Sequence, residues 1–134
     1  MNTLEELEAK KQKFLTPLFS LSDKLPALFI AKVHDPTIKM RIQLILHHFP
    51  PALEFIRDLI AQQIASKEFA SLRPTLVQQE THVRAALAEL RAPEPRTDFI
   101  HTCLVQIQRL SGVIAQQTKR NTTQEVNRNF ASIV

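Results

Sequence analysis

Glycine is nearly missing from this chain: Gly112 is the single one in 134 residues. Sandwiches, barrels and doubly wound sheets need tight turns with positive φ, where glycine is the default residue, so folds built on such turns are excluded. A glycine-rich loop that cradles phosphate is excluded on the same ground. Tryptophan and tyrosine are absent, which leaves phenylalanine as the sole aromatic. Their absence removes the usual anchors of tight protein interfaces and most of the material for stacking nucleic-acid bases. The lone cysteine, Cys103, has no partner for an internal disulfide, which fits a reducing compartment. Apolar runs such as Ala27 to Ala31 are far too short to span a bilayer. The opening residues Met1-Asn2-Thr3-Leu4-Glu5-Glu6 are polar and acidic, unlike a secretory signal. The expectation is a cytoplasmic protein with no membrane span.

Alanine, leucine, glutamine, glutamate, lysine and arginine fill the chain instead, and all favour helix. The eight prolines fall between apolar periodic segments. Together these predict an all-α fold: a single-domain helical bundle over residues 1–134, with four to five main helices and short proline-rich connections. Thr3 to Glu6 reads as a capping box that opens the first helix, along which Leu4, Leu7, Phe14 and Leu18 recur. Pro17 and Pro26 predict interruptions, so Ser20 to Val33 is expected as one or two short helices. Asp35-Pro36 predicts the next start, with Ile38, Ile42, Ile45 and Phe49 on one face and Pro50-Pro51 as its end. Leu53, Ile56, Ile60 and Ile64 stripe a third helix. Lys67 to Arg73 is a short continuation or turn. A further helix from about Pro74 to Arg91 turns Leu76, Val83, Leu87 and Leu90 inward. Ala92 to Arg96, with two prolines, is a loop. Thr97 then caps a long helix carrying Phe99, Cys103, Ile107, Leu110 and Ile114. A second capping box at Thr122 leaves residues 122–134 as either a separate helix or its continuation.

Chemistry-bearing groups do not converge in this pattern. Two helical zinc ligands need a spacing of four residues to share a face. His47 and His48 are adjacent, His101 and Cys103 are two apart, and His34 and His82 stand alone. The histidines read as ordinary surface or boundary residues, and Cys103 as a core thiol. No nucleophile elbow is present, and carboxylates such as Glu5, Glu6, Glu89 and Glu94 sit at helix starts or on polar faces. No catalytic residue, metal or cofactor is expected, and the chain reads as a binding protein.

The basic residues are the more informative set. Arg109, Lys119, Arg120 and Arg128 face one acid, Glu125, in the last third of the chain. Lys24, Lys32, Lys39 and Arg41 form a second group, opposed mainly by Asp35. Helix-borne lysine and arginine neutralise phosphates and give salt-sensitive binding, although solvating the outside of a bundle explains the same residues. The pairs Gln62-Gln63, Gln78-Gln79 and Gln116-Gln117, with Gln106, Gln108 and Gln124, read as uncharged surface. Two apolar stretches, Leu25 to Val33 and the stripe Val126, Phe130 and Ile133, are candidates for a partner surface.

Asp23 leads to Leu28-Phe29; Gln62-Gln63 is followed by Gln78-Gln79; Asp98-Phe99 opens a long helix ending in Gln116-Gln117-Thr118, with Lys119 to Arg128 and Glu125 beyond it. In this order of elements, over most of its length, the chain resembles the primosomal replication priming protein N″ (PriC) family. It departs from that pattern after Asp98-Phe99, where Ile100-His101-Thr102-Cys103 stands in place of an arginine-rich stretch. The resemblance implies a non-enzymatic adaptor that binds single-stranded DNA and its binding protein at stalled forks and helps reload the replicative helicase. On that reading Arg109, Lys119, Arg120 and Arg128, with Lys39 and Arg41, contact single-stranded DNA or an acidic protein tail. The rival expectation is a secretion or assembly chaperone that masks an apolar segment of a client with one of the two apolar stretches.

Overall fold

The structure, a computed structural model, describes residues 3–30, 36–66 and 70–133, with side chains for all of these except 25–30, 38, 39 and 119–133. Among the described residues the chain is all-α. It forms α1 Leu4–Ile30, α2 Pro36–His47, α3 Phe49–Ala65, a 3-10 turn Ala70–Leu72, α4 Arg73–Leu90 and α5 Thr97–Ile133.

Apolar residues at helical spacing assemble these elements. Leu4, Leu15 and Leu18 of α1, Leu53, Ile56 and Ile60 of α3, Leu76, Val83 and Leu87 of α4, and Ile100, Leu104, Ile107 and Ile114 of α5 share one buried core. Each such side chain contributes about 1.5–3 kcal/mol by leaving water. Helix α1 packs against α3 and α5, and α4 packs against the same two, so the four close a ring in the order α1–α3–α4–α5. Leu4 meets Gln63 while Phe14 meets Phe55, so α1 and α3 are antiparallel. Glu8 meets Ser111 while Ser22 meets His101, so α5 also opposes α1. Short connections reverse α3 into α4 and α4 into α5. The result is an up-down-up-down four-helix bundle, with α2 inserted between α1 and α3 and packed on both.

Local chemistry sets the helix ends. The Glu6 backbone N–H donates to the Thr3 hydroxyl at 3.1 Å, the expected cap of α1. At the α4–α5 connection the Glu89 carboxylate accepts from the Arg96 backbone N–H at 2.8 Å and from its guanidinium at 3.0 and 3.2 Å. The same guanidinium lies 4.7 Å above the Phe99 ring centroid. These hydrogen bonds hold the Glu89 carboxyl below its ordinary pKa and raise that of Arg96. The loop at 92–96 is thereby clamped at both ends.

Two expectations are corrected. Helix α1 runs without interruption through Pro17 and Pro26. A proline inside a helix costs about 3 kcal/mol, but Pro17 stands on the exposed side while Leu15, Leu18 and Ser22 around it are buried; that packing outweighs the lost hydrogen bond. Phe49 opens α3 rather than closing α2, and it is completely buried. Of the two readings of residues 122–134 the structure has the continuation, with α5 running on to Ile133. The Asp35 start signal and residues 67–69 of the Lys67 to Arg73 turn lie outside the described residues, while the rest of that turn forms the 3-10 turn Ala70–Leu72 and opens α4 at Arg73.

Ile60 is fully buried at the centre of α3. Ile60→Ala is expected to lower unfolding free energy by about 2–5 kcal/mol, the usual cost of such a cavity, as measured by urea denaturation.

Candidate functional site

Every bundle helix carries a polar residue where its apolar stripe calls for an apolar one. Lys11 follows Leu4 and Leu7 on α1, Gln63 follows Ile56 and Ile60 on α3, Gln79 sits between Leu76 and Val83 on α4, and Ser111 lies between Ile107 and Ile114 on α5. All four are buried, as is Glu8 one turn before Lys11. They meet at one level of the bundle.

The Lys11 ammonium donates to Glu8 Oε2 at 2.6 Å, Gln63 Oε1 at 2.9 Å and Gln79 Oε1 at 2.6 Å, which uses all three of its protons. Gln63 Nε2 donates to the same Glu8 oxygen at 2.9 Å and to the Leu4 carbonyl at 3.4 Å. Gln79 Nε2 donates to the Ile107 carbonyl at 2.8 Å. The Ser111 hydroxyl donates to the other Glu8 oxygen. Burial pushes the Lys11 ammonium below its ordinary pKa, while the Glu8 charge and hydrogen bond pull it back up. No donor of the lysine and no oxygen of the glutamate is left bare. The centre is therefore a closed charge pair solvated by amides, with no vacant position for a reacting atom.

This centre was missed in the sequence, where the glutamine pairs read as surface. That reading is corrected for one member of each of two pairs: Gln63 and Gln79 are buried, while Gln62, Gln78, Gln116 and Gln117 are exposed. The signal was available in the register, since Lys11, Gln63, Gln79 and Ser111 all fall on apolar stripes.

A smaller polar contact closes the opposite end of the α1–α5 interface. The Ser22 hydroxyl is buried, donates to the Phe19 carbonyl at 2.9 Å and lies 3.0 Å from His101 Nδ1. The His101 ring is half-buried, 6.0 Å from that of Phe19. The contact ties α1 to α5, whichever of the two groups donates. Cys103 is buried, and burial raises its thiol pKa. Among the described residues no three of His, Cys, Asp and Glu gather as metal ligands would.

The basic residues are divided by the fold. Arg109 is exposed on α5 and donates to Gln106 Oε1 at 3.0 Å. Lys119, Arg120 and Arg128 follow on the same helix; their side chains lie outside those described, as do those of Lys39 and the stripe Val126, Phe130 and Ile133. Glu8 of α1 stands opposite Ser111, so the start of α1 is level with about residue 115 of α5. Thr118 is still buried, so α5 is covered at least that far, and from there it continues to Ile133, about 22 Å at 1.5 Å per residue. Arg109 and Arg120 are separated by three helical turns and share a face of α5, with Lys119 and Arg128 to either side. Lys39 and exposed Arg41 belong to α2, which links the last residues of α1 to the first of α3, at the other end of the bundle. Leu25 to Val33 is also outside the described side chains.

Compared with known families, characterised proteins and solved structures, the chain matches none. No helix among the described residues is long and apolar enough to cross a membrane.

Removing Lys11 alone strands a buried carboxylate and two amide oxygens. Lys11→Met should cost about 3–5 kcal/mol, whereas replacing Glu8, Lys11, Gln63, Gln79 and Ser111 together by apolar residues should be neutral or stabilising by about 1–4 kcal/mol; chemical denaturation reads both. The lowered Lys11 pKa also sets a pH trend. The unfolded chain holds this proton up to higher pH than the folded one, so the Lys11 contribution to stability rises from the folded pKa up to 10.5. Wild type should therefore gain stability relative to Lys11→Met as pH climbs toward 10.5, in paired denaturation series.

Proposed function

We propose that this chain is a cytoplasmic, non-enzymatic helical adaptor acting in the restart of DNA replication. It binds an anionic partner, single-stranded DNA or the acidic tail of single-stranded DNA-binding protein. The observation that carries the reading is the continuation of α5 past Thr118, its last buried described residue, together with its sequence. A helix that runs on in this way and bears Lys119, Arg120 and Arg128 against one carboxylate, Glu125, gathers positive charge in its last turns. Arg109 adds an exposed basic residue earlier on the same helix, where it packs in the bundle. Basic helix faces bind phosphate through counterion release, without an aromatic platform and without base selection. The replication setting rests on the resemblance to the PriC family, carried by Asp98-Phe99, the paired glutamines and the basic segment after Thr118. In that setting α5 is the contact element, and the bundle holds it in place.

Lys39 and Arg41 on α2 sit too far from this extension to belong to the same footprint, and the proposal leaves them out of it.

Fluorescence anisotropy of a labelled single-stranded oligonucleotide, titrated at several salt concentrations, tests the proposal. Affinity should fall steeply with salt. Lys119→Glu with Arg120→Glu should weaken binding at least tenfold and flatten the log–log salt slope by about 1.4, two phosphate contacts on a single strand. Unchanged affinity in the double variant removes those residues from the interface. Absence of binding at low salt, combined with salt-insensitive capture of an apolar peptide, favours the chaperone reading instead.

A further inference from the structure

The one glycine of the chain, Gly112, stands in the interior of α5. Glycine is the poorest helix former after proline, so holding it there weakens the helix. Nothing inside the molecule requires it. Gly112 makes no turn, its φ is not positive, and a Cβ added to it would meet no atom within 4 Å beyond its chain neighbours and its own helix backbone. It is exposed, so no neighbouring helix uses the bare backbone for close packing. A residue that weakens the fold and serves no packing in it points to contact with something outside the fold.

Its place on α5 says what kind of contact. Arg109 lies three residues before it, Gln116 four after and Lys119 seven after, the spacings that share one side of a helix. Arg109, Ala115 and Gln116 are exposed with it. The two cations are about 15 Å apart along the axis, and between them Gly112 and Ala115 present nothing larger than a methyl group. Neither offers the aromatic or aliphatic anchor that a peptide would need. A nucleic-acid strand needs none, because its backbone is held through phosphates and close polar contacts.

We propose that Gly112 is the seat of a single strand of DNA on α5. The strand crosses the helix there, against its backbone, with phosphates reaching Arg109 on one side and Lys119 on the other. The Gln116 amide donates to the same sugar–phosphate chain. A side chain at position 112 would hold the strand away from both cations. The inference rests on the reading of α5 as the contact element, and it states where on that helix the strand lies.

Anisotropy of the labelled single-stranded oligonucleotide at low salt, paired with urea denaturation, tests it. Gly112→Ala should favour the folded state about two- to fivefold, the ordinary gain of alanine over glycine in a helix, and yet weaken binding. Gly112→Leu should fold at least as well as wild type and weaken binding about tenfold, the usual penalty of forcing a side chain into a packed contact. Gln117→Leu, at an exposed position on a different side of α5, should leave affinity unchanged. Opposite signs in the two measurements are the signature, because a purely structural role would move stability and binding together. Wild-type affinity in Gly112→Leu overturns the seat and leaves the role of α5 standing. A Gly112→Leu chain less stable than wild type, or a loss of binding that Gln117→Leu reproduces, overturns it as well. Wild type that leaves the oligonucleotide unbound at low salt, or binds an acidic peptide in its place, removes the strand reading itself.

Discussion

One ammonium group organises this bundle. Lys11 lies in the apolar interior with no exposed surface, and an ion there is tolerable only if its hydration is replaced in full. The replacement comes from three helices: the Glu8 carboxylate on α1, the Gln63 amide on α3 and the Gln79 amide on α4, with Ser111 of α5 completing the glutamate. Each partner reaches its acceptor or donor only when its helix stands at one height and one rotation. Apolar stripes tolerate sliding by a turn; this constellation does not. The bundle therefore has a point from which the register of all four helices is fixed, at the cost in net stability common to buried ion pairs.

From that point the rest of the architecture can be laid out. With Glu8 level with Ser111 and Gln79 level with Ile107, both helices that flank α5 stop well short of its end. The extension that carries Lys119, Arg120 and Arg128 is a consequence of where the polar centre sets the register. At the opposite end, the Ser22–His101 contact joins α1 to α5, and α2 packs on α1 and α3 away from that extension.

Much of the fold was legible in the residues. Leu53, Ile56 and Ile60, or Leu76, Val83 and Leu87, repeat at the spacing that buries one helix face, and they are buried. The Thr3 cap and the loop at 92–96 were equally readable, because capping and proline geometry are local. Where sequence and structure part, one cause recurs. Pro17 argues for a break when only its neighbours in sequence are weighed, and Gln63 and Gln79 argue for a surface when only their side-chain type is weighed. Packing against other helices decides the first case. Hydrogen bonds across 52 and 68 positions of sequence, from Lys11 to Gln63 and to Gln79, decide the second. The basic residues were visible as a set but not as a surface, since nothing local separates Arg41 from Arg109.

Composition and periodicity by themselves determined that this protein is all-α, where α3 and α4 lie to within a few residues, and which stripe of each of these two turns inward, because backbone sterics and helix propensity act over one or two turns. Tertiary structure alone decided that four polar residues on four stripes converge on one level of the bundle, that α1 survives its prolines, and that the basic groups part company. Those outcomes depend on the relative height and rotation of whole helices. Such quantities are set by contacts between segments far apart in sequence, and no local pattern encodes them.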